Sequence, residues 1–353
     1  MSTTANFPAM LMQFMAPILE ILKQPGLTEV CVNRPDEVWT EDKGGWKKHT
    51  VSGLSLFRCQ QIANLIATAN GKAIDEHSPV LSASLPNGER VQVVIPPACE
   101  KGTVSITVRK PSDALFTLDA LHEFGAFNNL KKVKLNYDAN ALNSGFQVTT
   151  PLSSDEQELL AIMEKEGTYK WVEFLKKAVL AKRNILLVGK TGSGKTTMTN
   201  SLISEIPESE RLITIEDARE LRLPNHGNSV HLIFARESEG GIAISAKDAL
   251  ASCLRMKPDR ILLAELRGDE SWEFIKSINT GHPGSISTMH ANGAFEAFEQ
   301  LASFVKDSET GSHLEMGYIK HRLMTTVDIT LFMDNKQALE IFYEPEFKRQ
   351  AMA

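Results

Sequence analysis

Apolar residues recur along this chain with two spacings, and a change near the middle divides it. Residues 7–22 carry Leu11, Phe14, Met15, Ile18, Leu19 and Leu22 at helical spacing, and residues 56–69 repeat the pattern with Phe57, Ile62, Leu65 and Ile66. Between them, 29–33 and 37–40 flank Arg34-Pro35-Asp36 and read as a strand–turn–strand unit. Residues 89–95 and 103–109 alternate apolar and polar positions as half-buried strands, closed by Pro96-Pro97 and Lys110-Pro111. From 131 to 151 periodicity is lost among Asn136, Asp138, Asn140, Asn143, Ser144, Gly145, Thr149 and Thr150. Afterwards a helical face (Trp171, Phe174, Leu175, Ala178, Val179) precedes strand-like runs at 185–188, 212–215, 260–264, 286–289 and 328–332. Apolar strands alternating with helices predict a mostly parallel sheet covered by helices. The expected organisation is a small α+β domain over 1–130, a linker over 131–151 and an α/β domain over 152–353.

Composition narrows this only slightly. A chain of 353 residues suits two domains, each with its own core. Apolar and charged fractions of 42% and 23% are those of an ordinary globular protein. The formal net charge of −6 gives no general attraction to polyanions and argues against direct nucleic-acid binding. Cys31, Cys59, Cys99 and Cys253 form no C-x-x-C pair, so reduced thiols are expected rather than a zinc module or a disulfide framework. No apolar run approaches the length of a membrane span. Residues 7–22, with Pro17 and Glu20 and no basic flank, are not a signal peptide; they are expected to pack on their own domain, with a surface that touches membrane or a partner as the alternative. A cytoplasmic location is expected.

The chemistry concentrates in the second half. The run 185–188 enters Gly189-Lys190-Thr191-Gly192-Ser193-Gly194-Lys195-Thr196, and Thr197 opens a helix-compatible segment. Strand, GxxxxGK[ST] and helix in that order form a phosphate-binding loop. Its glycines admit converging backbone N–H groups, the helix aims its positive end at the anion, and Lys195 reaches the β- and γ-phosphates. Thr196 offers its hydroxyl to Mg²⁺. A nucleoside triphosphate is therefore the expected ligand. Three further clusters follow predicted strands and are expected at the same sheet edge. Glu216-Asp217, with Glu220 behind, suits a metal-bound triphosphate. Glu265 emerges from an apolar strand as a candidate general base, with Ala264 where many such strands place an Asp, and Arg267 is a possible ion-pair partner. His282 and His290 bracket a short strand, and at least one is expected to be functional.

In their order, the phosphate loop, the Ile-Glu-Asp box, the run 254–267 and the histidine segment 280–292 resemble the type II/type IV secretion ATPase superfamily. Within it they look most like the traffic ATPases of type IV secretion and conjugation systems. The resemblance spans about residues 80–300. It implies a RecA-like P-loop NTPase domain of the α/β class, preceded by a small α+β N-terminal domain. It also implies an ATP- and Mg²⁺-dependent homohexameric ring whose nucleotide-driven domain motion powers substrate transfer or pilus assembly. Such a ring would sit at the cytoplasmic face of the inner membrane, with other secretion-system ATPases and inner-membrane components as partners. The resemblance assigns phosphate and Mg²⁺ binding to Lys195 and Thr196. Glu216 falls in the acidic box, also a candidate Mg²⁺ ligand, Glu265 is the Walker-B glutamate, and His282 and His290 form the histidine box. It further places Arg90 and Arg109, in the segments 86–90 and 106–111, as arginines that reach the nucleotide. A nucleotide-gated docking scaffold, a pilus extension or retraction motor and a DNA translocase are the alternatives.

Overall fold

The computed structural model describes residues 7–42, 44–110, 115–135, 151–234 and 244–352, which fall into two compact units. The first holds α1 (Phe7–Phe14), α2 (Ala16–Leu22), β1 (Glu29–Arg34), β2 (Glu37–Asp42), β3 (Gly45–Thr50), α3 (Leu56–Ala69), β4 (Val80–Ser84), β5 (Arg90–Val94) and β6 (Ser105–Arg109). The N-terminal apolar run is two helices rather than one, because Pro17 enters at the first turn of α2, where its missing N–H costs nothing. Its face (Leu11, Met15, Ile18, Leu22) is buried in this unit's own core, as expected. Ser55 caps α3 by accepting from the Arg58 N–H.

The first unit's sheet runs β3-β2-β1-β6-β5-β4 with antiparallel pairing throughout. Val30, Val32, Val91, Val93, Ile106 and Val108 point into the core, so the intervening residues line the other face. Sequence periodicity missed both edge strands. β3 (Gly-Trp-Lys-Lys-His-Thr) is largely exposed and so has no inward stripe to betray it.

The second unit holds α4 (Leu118–Glu123), β7 (Lys131–Val133), α5 (Ser154–Met163), α6 (Lys170–Leu180), β8 (Ile185–Gly189), α7 (Lys195–Ile203), β9 (Leu212–Glu216) and β10 (Ser229–Ile233). It continues through α8 (Ala246–Leu254), β11 (Arg260–Leu266), α9 (Glu270–Asn279), β12 (Ile286–Met289), α10 (Glu296–Asp307), α11 (Met316–Thr326), β13 (Ile329–Asp334), β14 (Gln337–Phe342) and α12 (Pro345–Met352). The sheet order is β10-β9-β11-β12-β8-β13-β14-β7, and among the described residues only β13–β14 pair antiparallel. The expected mostly parallel sheet is therefore present, with β8 near its centre and buried at every position. Ile185 and Leu187 face one core with α4 to α7, while Leu186 and Val188 face the other with α8 to α11.

Residues 115–130, expected at the end of the first domain, belong to the second unit. Leu118, Leu121, Phe127 and Leu130 find their apolar partners among Phe174, Leu175 and Leu202. Lys131–Val133, read as the start of a linker, is instead the edge strand β7, parallel to β14. The rest of that stretch, 136–150, lies outside the described residues, as does Pro111.

Candidate active site

The phosphate loop leaves the carboxyl end of β8, where ligands of open α/β sheets gather. Gly194, at φ 99°, forms the N-terminal boundary of α7, and Gly192 has φ 75°. Both lie in the left-handed region that favours glycine. Lys190, Thr191 and Gly192 form an exposed arc, while Ser193 and Lys195 are buried beneath it. Lys195 folds back along the loop: its Nζ donates to the Gly189 carbonyl at 2.6 Å and to the Lys190 carbonyl at 2.9 Å. The ammonium is thus held under the arc at the start of α7. Thr196 and Thr197 follow on the first turn and are partly buried.

Register brings Glu265 and His290 to this edge. Met289 on β12 lies opposite Val188 on β8, so the next residue, His290, stands beside Gly189. It is hydrogen-bonded to the Gly189 backbone. Burial, then the positive charge of Lys195, holds the imidazole below its ordinary pKa, against the opposing pull of Glu265. The β11–β12 pairing slips between Leu263 and Leu266, and this irregularity contains Glu265. Glu265 Oε2 accepts from Arg267 Nη2. His290 Nε2 lies 2.9 Å from Glu265 Oε1, a close contact that is not aligned as a hydrogen bond. Oε1 is thereby a buried carboxylate oxygen with no aligned donor among the described residues. Arg267 is held more firmly charged by its bond to Glu265, with burial opposing and Asp217 and Glu220 adding negative charge.

Glu216 differs from its expected role. It is fully buried, and all its contacts come from donors or polar partners within the fold. Oε2 accepts from the Glu220 and Leu221 N–H groups, each at 2.7 Å. Oε1 accepts the Thr214 hydroxyl at 2.7 Å and lies 3.2 Å from His231 Nδ1. Glu216 presents no oxygen toward the loop here; it pins the segment 217–221. Glu220, on that segment, is the acid that meets Thr196, whose hydroxyl donates to Glu220 Oε2 at 3.4 Å. Thr214 on β9 and His231 on β10 complete this network; His231 carries no sequence signal because the partly exposed edge strand β10 shows little alternation.

His282 is also displaced. It precedes β12 and therefore lies at the amino edge, a strand length of about 13 Å from His290. Its Nδ1 meets the Pro258 carbonyl at 3.0 Å. The surrounding turn is structural: Asn184 Oδ1 accepts from the Gly284 and Ser285 N–H groups. The fully buried Arg260 donates bidentately to Glu210 (2.8 and 3.0 Å) and to the Val179 carbonyl. In the first unit, Arg90 on β5 is directly opposite Arg109 on β6, and Arg109 Nε lies 3.8 Å from Glu29. The two arginines share the sheet face turned away from that unit's core.

Comparison with known proteins points to one family. A model of the type II/IV secretion system protein family matches residues 155–330. The type IV secretion system protein VirB11 of Bartonella henselae is 41% identical over 346 residues, covering 97% of this chain and 95% of the relative. The PtlH homologue of Bordetella bronchiseptica, also a type IV secretion system protein, is 36% identical over 89% of this chain and 87% of its own length. Among solved structures, the VirB11 ATPase of the Brucella suis type IV secretion system, in complex with sulphate, superposes with a TM-score of 0.52. It is 39% identical and covers 96% of this chain and 99% of that one.

Proposed function

The chain belongs to the type II/IV secretion system protein family, in the branch that contains VirB11, and from that membership we propose how its site works. It is an ATPase that powers a type IV secretion or conjugation apparatus through nucleotide-driven domain motion. The observation that carries the site assignment is Glu265. It has a buried carboxylate oxygen with no aligned donor among the described residues, beside His290, which is itself bonded to the phosphate loop. A carboxylate so placed accepts a proton from an attacking water. Lys195, already oriented by the loop carbonyls, exchanges those contacts for phosphate oxygens. His290, kept neutral, donates or accepts a hydrogen bond according to the state of the γ-phosphate.

A divalent cation fits this edge, because the Thr196 hydroxyl and the Glu220 carboxylate are neighbouring hard oxygen donors. Thr196 and Glu220 are the residues that would hold Mg²⁺, which supplies charge neutralisation on the phosphates when bound. Glu216 acts by holding Glu220 in place. Arg90 and Arg109, directly opposite each other on neighbouring strands, serve as nucleotide-sensing arginines. The working form is a homohexamer, peripheral to the cytoplasmic face of the inner membrane, with other secretion-system ATPases and inner-membrane components as partners. No helix among the described residues is long and apolar enough to cross a membrane.

Mass measurement of the purified chain with and without ATP–Mg²⁺, coupled to phosphate release, tests the proposal. The expected result is a hexamer with turnover that Lys195→Ala abolishes. A persistent monomer without turnover would overturn it.

A further inference from the structure

β13 and β14 are joined by Asn335 and Lys336 alone, with Asp334 opposite Gln337. Both turn residues have positive φ, 47° and 63°, as a type I′ hairpin turn requires. Asparagine tolerates that conformation, but the second place normally belongs to glycine, and a lysine there is strained. The turn is also locked onto the phosphate loop. The Lys336 N–H donates to the Ser193 carbonyl at 2.9 Å. A Cβ placed on Gly194 would come within 3.2 Å of Lys336 Cα, and one on Gly189 within 2.1 Å of the Met333 carbonyl. Two of the loop's glycines are therefore required by this hairpin as well as by the ligand.

Lys336 is exposed, and among the described residues no carboxylate pairs with its ammonium. The strain it carries thus has no compensating ion pair there, while its backbone sits directly against Gly194, the residue that precedes α7. A lysine's flexible four-carbon stem is long enough to bring its charge from that position over the loop. We propose that Lys336 is a second nucleotide-binding lysine, contacting the phosphate tail of the nucleotide from the hairpin side while Lys195 contacts it from below. This rests on the reading of the loop as a nucleoside triphosphate site.

The test separates charge from backbone. Lys336→Gly relieves the turn and removes the charge, so its melting temperature should equal or exceed that of the unmodified chain. Its ATP affinity, measured by calorimetric titration, should nevertheless fall at least about tenfold, equivalent to about 1.4 kcal/mol. Lys336→Arg should restore most of that affinity. If Lys336→Gly binds ATP as tightly as the unmodified chain, this inference alone fails. If the unmodified chain binds no ATP, the reading of the site fails and takes this inference with it.

Discussion

Glu216 separates a positioning carboxylate from a catalytic one, and two substitutions distinguish them. Glu216→Ala removes the acceptor of two backbone N–H groups, those of Glu220 and Leu221, each held at 2.7 Å. An orphaned buried donor costs about 1–3 kcal/mol, so the pair costs about 2–6 kcal/mol before any cavity term. That is a large share of the roughly 5–15 kcal/mol that holds a typical domain together. The segment 217–221 would lose its anchor, and Glu220 its place beside Thr196. Glu216→Gln keeps the shape. Its amide oxygen can take both N–H groups, and its NH₂ can donate to Thr214 Oγ1. Only the charge assistance is lost, about 1 kcal/mol. Urea unfolding and steady-state phosphate release should be measured on both variants. The alanine variant should lose stability in the range above together with turnover, while the glutamine variant stays within about 1 kcal/mol and keeps most of its turnover. A glutamine variant as stable as the parent but without turnover would refute the positioning role and make Glu216 itself a metal or catalytic acid.

Other consequences follow from the same geometry. Gly189→Ala drives a methyl into the Met333 carbonyl, so it should lower the melting temperature and ATP binding together; Gly192→Ala, with open space around it, should cost only about 1–3 kcal/mol of backbone strain. His290→Ala should reduce kcat by about tenfold or more, whereas His282→Ala, at the opposite edge, should leave kcat near the parent value and lose about 1 kcal/mol in urea unfolding. Arg260 beside Glu210 holds that carboxyl below its usual value of 4.5, so the pair's stabilisation is present above that value and is lost as pH falls through the lower folded value. Glu210→Gln should flatten that acid-side loss in a pH series of unfolding curves and cost about 3–5 kcal/mol at neutral pH, because Arg260 is left buried with its charge uncompensated.

The central sheet was legible because buried parallel strands are continuous apolar runs, and 185–188 and 261–264 could be read as little else. Edge strands such as β3, β7 and β10 were not, because one open side removes the inward stripe that periodicity detects. The phosphate loop and Glu265 were visible as spacing and as a charge ending an apolar run. What spacing could not supply was direction. His282 and His290 are close in sequence, yet a parallel strand between them separates them to opposite edges. Glu216 and Glu220 belong to one acidic segment, yet only hydrogen bonding shows which of them is consumed by the backbone. The glycines of the loop looked like ligand chemistry alone, because the hairpin that also requires them lies more than a hundred residues later in the chain.

Glu265 activating water at the phosphate loop is the central step, and one comparison tests it most directly. ATP binding and ATP hydrolysis should be measured side by side on Glu265→Gln, whose amide oxygen can still accept from Arg267 and so preserve the local fold. The prediction is ATP affinity close to the parent's with turnover reduced by about a hundredfold or more. Turnover at the parent rate would contradict the claim.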